Sequence, residues 1–121
     1  MADTVVKLFD ATGLDKTEQR RDVLQEAREF ADAGGQALHV WQPLAGHVTP
    51  KSPFLFKKMA AAGKPWAHLF DNDAARLKDT GELLGIKKIV VRREGKPGQH
   101  IDLCGGPLDR ARLRIAQEED V

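Results

Sequence analysis

Two short segments of this chain hold residue types that do chemistry. The first is Trp66-Ala67-His68-Leu69-Phe70, followed by Asp71-Asn72-Asp73. A histidine in an apolar run next to an acid-rich turn offers nitrogen and oxygen ligands within one loop. That set suits Mg²⁺, Mn²⁺ or Zn²⁺, with His68 available for catalysis and Asp71 and Asp73 as metal ligands. Capping of the next helix accounts for one of the two carboxylates and leaves the second unexplained. The second segment is His100-Ile101-Asp102. Residues i and i+2 on a strand point to one face, so imidazole and carboxylate are neighbours. Asp102 can orient His100 for acid–base work, or the pair can share a metal. The bland alternative is a solvated face with a weak ion pair. Asp10 stands at the carboxyl end of the first apolar run, where open α/β sheets bind ligands, and is a third metal candidate. It suits a simple turn equally well. His39 and His47 receive no assignment by themselves. Cys104 lies two strand steps from His100, about 13 Å, too far for a nucleophile–base pair.

The basic residues form another set. The formal net charge is +1, but the charges are segregated. Residues 36–70 contain Lys51, Lys57, Lys58 and Lys64 and no acid. Residues 87–100 contain Lys87, Lys88, Arg92, Arg93 and Lys96 against Glu94 alone. If these segments meet in space, they make a positive face that attracts phosphates. Trp41 and Trp66 would add stacking surfaces for bases. Lys57, Lys58, Lys64, Trp66, Arg92 and Arg93 are therefore the candidate contacts to an anionic ligand. A low aromatic fraction of 6% and the near-neutral total weigh against it.

The elements that position these residues follow from periodicity. Residues 4–10 and 37–42 read as strands, and a helix over 16–33 lies between them. Its stripe is Val23, Leu24, Ala27, Phe30 and Ala31, with Asp15 or Thr17 as cap and Gly34-Gly35 as stop. Strand, helix and strand make a βαβ unit. Ser52-Pro53 opens a short helix to residue 62. Residues 65–70 read as a third strand, and a helix capped by Asp71 or Asp73 runs to Leu84-Gly85. Residues 87–93 and 99–104 predict a β-hairpin, with Ile101 and Leu103 inward and His100, Asp102 and Cys104 on the opposite side. A last helix covers 107–117.

The stretch Gly63-Lys64-Pro65-Trp66-Ala67-His68-Leu69-Phe70-Asp71-Asn72 resembles a small bacterial domain-of-unknown-function family with a W-S-H-L-x-x-D-like motif. In that pattern an amphipathic helix ending in L-G follows, then H-Y-D, then an Arg-bearing helix. Leu77 and Leu84-Gly85 match the helix, His100-Ile101-Asp102 matches H-Y-D, and Arg110 lies near the Arg position. The likeness covers about residues 63–112. Asn72 stands at the usual Asp position, flanked by Asp71 and Asp73, and Ile101 replaces Tyr. The resemblance implies no activity. It implies that His68, the acid turn, His100 and Asp102 form one constellation.

The whole chain of 121 residues is thus expected to be a single α/β domain. It would have a mixed sheet of four or five strands, three to four helices, and frayed ends at 1–3 and 117–121. One cysteine, the absence of an apolar run of about 20 residues, and a start without a basic, then apolar, leader point to a cytoplasmic protein with no membrane partner. Two functions from different classes fit. The leading one is binding of an anionic ligand, nucleic acid or a nucleotide, through segments 36–70 and 87–100. The alternative is a metal-dependent phosphoester hydrolase using the His/Asp residues. A third is an accessory protein acting through protein contacts, as a homodimer. Convergence of His68, Asp71, Asp73, His100 and Asp102 would favour the enzyme. A continuous basic face would favour the binder.

Overall fold

Four strands lie side by side in chain order: β1 (Val6–Asp10), β2 (Gln36–Trp41), β3 (Trp66–Phe70) and β4 (His100–Leu103). β1 and β2 are parallel and are joined by helix α1 (Thr17–Asp32), the expected βαβ unit. β3 runs antiparallel to β2, and β4 antiparallel to β3. Helices α2 (Phe54–Ala61), α3 (Ala74–Leu83) and α4 (Gly105–Glu119) complete the α/β domain. This computed structural model describes residues 6–119. The expected fraying at 1–3 and at 120–121 falls outside that range, whereas residues 117–119 are helical.

Strand alternation gives the sheet two faces. On the first, Leu38, Val40, Leu69, Ile101 and Leu103 meet Leu77, Leu84, Leu108 and Ile115. Each such side chain, moved out of water, contributes about 1.5–3 kcal/mol. On the second, Phe9, Ala37 and Phe70 meet Ala27 and Ala31 of α1. Small residues at 27 and 31 let that helix approach closely. The helix packs mainly on β1 and β2. The rest of the second face, on β3 and β4, carries polar and aromatic side chains.

Some expectations change. Residues 87–93 do not form a strand; one antiparallel bridge, Arg92 to His100, is all that remains of the hairpin. Ile89 and Val91 of this segment, with Ile86 before it, pack against the core without a ladder of strand pairs. The α1 N-cap is Lys16, with no side-chain cap, in place of Asp15 or Thr17. Ser52 Oγ accepts from Thr49 N–H at 3.0 Å and does not cap α2. Asp73 does cap α3, accepting from Arg76 N–H at 3.0 Å. No described helix is long and apolar enough to cross a membrane.

Gly85 ends the α3 segment at φ +83°, and a Cβ there would lie 2.8 Å from the Arg110 guanidinium. That guanidinium also holds the Leu84 carbonyl at 2.8 Å. Gly85→Ala combines left-handed strain with displacement of Arg110, so we expect a loss of about 1–2 kcal/mol. Thermal melting of the variant beside the parent protein measures it, and an unchanged melting temperature would contradict the role of this contact.

Candidate functional site

The strand register brings together what the sequence leaves apart. His39 of β2 pairs with His68 of β3, and His68 pairs with Asp102 of β4. These three side chains form a row across the second sheet face. His100 is two residues before Asp102 and shares its face; its ring meets that of His68 edge-on, with centroids 4.9 Å apart. His68, His100 and Asp102 each offer a donor atom within 4.8 Å of the other two.

Each of the three is held from a second side. His100 Nδ1 lies 2.8 Å from the Gly98 carbonyl. A carbonyl only accepts, so Nδ1 carries a proton, which leaves Nε2 as the ring's ligand atom. That nitrogen lies 3.5 Å from Asp102 Oδ1. His68 Nδ1 is 3.0 Å from His39 Nδ1, with the rings nearly parallel. When His68 donates in this bond, its Nε2 lone pair is free and His39 carries its proton on Nε2. Asp102 Oδ2 has the Arg92 guanidinium on its other side.

Electrostatics keep the His68 and His39 imidazoles uncharged near neutral pH. Burial, followed by the nearby His100 and His39, pulls His68 down to about 3. Burial, with the Arg20 charge behind it, pulls His39 down to about 4. Burial pushes the Asp102 carboxyl up, but hydrogen bonds and charge from His100, with His68 and Trp66 behind, outweigh it and hold it low. The uncharged His68 imidazole therefore faces His100 and the Asp102 carboxylate near pH 7.

These groups border an open cleft of about 340 Å³ with Trp41, Ser52, Phe56, Trp66 and Arg92. Arg92 Nε stands 3.7 Å from Asp102 Oδ2. Zinc bonded at about 2.0–2.1 Å would need these donors to draw closer to one another than they stand here. Two imidazoles and one carboxylate fit zinc or another first-row divalent ion and leave a coordination position open to the cleft.

Protein-family models, curated proteins and solved structures were each compared with the chain, and none matches.

The chemistry of the site is then the ground for any functional reading. Three of the sequence candidates, His68, His100 and Asp102, meet. Three do not. Asp71 follows β3 on the opposite sheet face and is fully buried. There it binds Arg76 through both oxygens, at 2.6 and 2.7 Å, and accepts from Gln36 at 3.0 Å. Asp73 caps α3 from the surface. Asp10 closes a turn with Thr12 and meets Arg112 of α4 at 3.3 Å. Among the basic candidates, only Arg92 borders the cleft. Lys57 donates to the Pro50 carbonyl and Arg93 to the Pro97 carbonyl. Lys58 and Lys64 are exposed away from the cleft lining. Trp66, expected to stack on bases, is 8% exposed and packs edge-on against Phe56. Cys104 has a thiol pushed up by burial and by Asp102, which suits a packing residue.

His39 is the site residue that pattern reading leaves unassigned, and Trp41 is read there only as a stacking surface. Both lie on β2 beside Ala37, Leu38 and Val40, and alternation alone leaves the choice of face open for His39. A second signal was overlooked: His68 and Asp71 are three apart, so on one extended strand they point to opposite faces.

Proposed function

We propose that this protein is a metal-dependent hydrolase, with a first-row divalent ion held by His68, His100 and Asp102 and an anionic ester, a phosphoester first, as substrate. The single observation that carries the reading is the meeting of three metal-type donors, each with a second neighbour, at the floor of an open cleft. Such outer partners orient ligands and fix tautomers. The ion supplies the Lewis-acid chemistry, activating water and stabilising charge on the substrate oxygen. Arg92 at the rim offers a guanidinium for the anionic group. The basic segments thus keep a role, but through one residue. Nucleic-acid binding has less support, since Trp66 is buried and Lys57 and Arg93 are tied to backbone carbonyls.

Titration calorimetry with Zn²⁺ and Mn²⁺ tests the metal, and turnover of bis-p-nitrophenyl phosphate tests the chemistry. One ion per chain is expected. His68→Ala, His100→Ala and Asp102→Ala should each weaken binding at least about 100-fold, by loss of one of three ligands. Arg92→Ala should leave metal affinity in place and raise KM. Absence of stoichiometric binding, or equal affinity in the three ligand variants, overturns the proposal.

A further inference from the structure

A second cavity, of about 320 Å³, lies on the same sheet face. It sits at the carboxyl ends of the parallel strands β1 and β2, beside the first turns of α1. Ligands of open α/β sheets occupy this position.

Several features there ask for an acceptor. α1 starts without a side-chain cap, so the N–H groups of its first turn lack partners and carry the positive end of the helix dipole. Thr17 of that turn lines the cavity. Glu18 is exposed and does not line it. His39 also lines the cavity and is only 4% exposed. Its Nδ1 is taken by His68, and its Nε2 has no partner among the described residues. Trp41 forms part of the wall, and its buried Nε1–H has no acceptor among the described residues. An orphaned buried donor costs about 1–3 kcal/mol.

Charge and shape narrow the ligand class. Arg20 is locked by bonds from Nε to the Leu14 carbonyl and from Nη2 to the Gln42 carbonyl, each 2.8 Å. It is a preorganised cation. Arg21 adds a second positive charge and Asp15 offsets one, so the surplus suits a single negative charge. The remaining wall is Ala11, Leu24, Leu44 and the Trp41 ring, with the rings of His47 and His68 at its side. We propose that this cavity binds a small organic monocarboxylate. Its apolar body lies against Leu24 and Trp41, and its carboxylate accepts from the first turn of α1 and from His39 Nε2–H. The proposal does not require a metal in the neighbouring cleft.

Amide NMR of the ¹⁵N-labelled protein in EDTA tests it with three probes: benzoate, neutral benzamide and dianionic phenyl phosphate. EDTA separates this result from the fate of the metal reading. Benzoate should bind saturably and shift the Trp41 Nε1–H signal and the Thr17–Gln19 amides, leaving the Trp66 Nε1–H signal in place. Benzamide and phenyl phosphate should bind at least about ten-fold more weakly. Leu24→Trp fills the cavity and should abolish the benzoate shifts. Arg21→Ala changes only an exposed side chain, so it preserves the fold and should weaken benzoate several-fold even where Leu24→Trp fails to fold. No saturable shift up to about 10 mM benzoate, benzamide binding as tightly as benzoate, or shifts centred on Trp66 and His100 would each overturn the assignment.

Discussion

Asp71→Ala is expected to destabilise the fold by about 3–5 kcal/mol while leaving metal affinity unchanged. The carboxylate is fully buried and holds four donors: Arg76 Nε and Nη2, Gln36 Nε2 and the Asp73 N–H. Its removal takes the carboxylate from the Arg76 guanidinium and one of two acceptors from the Gln36 amide, leaving only the Gly34 carbonyl and Thr80 Oγ1, and breaking such a pair from one side is far costlier than never making it. The same bonds tie the end of β3 to the start of β2 and to α3. A residue whose type and position suggest a metal ligand is therefore a structural anchor. Urea unfolding gives the stability change, and calorimetry with Zn²⁺ at low temperature, where the variant stays folded, gives the affinity. A loss under about 1 kcal/mol would count against the anchoring role. A large loss of zinc affinity in the folded variant would bring Asp71 back to the metal.

The second large effect is acid sensitivity. His39 is lowered from 6.5 to about 4 in the folded protein, with burial as the leading cause. The unfolded chain takes up a proton near 6.5, and the folded chain does not until about 4. Stability from this residue is therefore complete above about pH 6.5 and declines as pH falls toward 4. At pH 5 the loss from His39 alone is about 2 kcal/mol. His68 is lowered for the same reason and adds in the same direction. The urea midpoint should accordingly drop between pH 7.5 and pH 5. His39→Gln should flatten the slope, because that variant has one proton fewer to exclude. Equal midpoints at the two pH values would mean that the pair is not held neutral.

Much of the architecture was legible from local pattern. The apolar stripe of α1, a cap on α3 from the turn of Asp71 and Asp73, and the inward Ile101 and Leu103 all follow from near neighbours in the chain. The segment 87–93 was not. Its apolar residues look strand-like, but Ile86, Ile89 and Val91 satisfy packing on the core rather than a ladder. Competition between burial and pairing is a tertiary matter. The basic segments, too, read as one face only while their positions were unknown. Lys57 and Arg93 turn back to nearby carbonyls, and Arg92 alone reaches the cleft.

For the site itself, the sequence determined only that His100 and Asp102 share a face, because alternation along a strand is a property of two peptide units. That His68 stands between His39 and Asp102 was decided by the tertiary structure. Register across β2, β3 and β4 is set by burying both sheet faces at once, and residues far apart in the chain enter that balance together. The same register sends Asp71 to the opposite face, into a buried pair with Arg76.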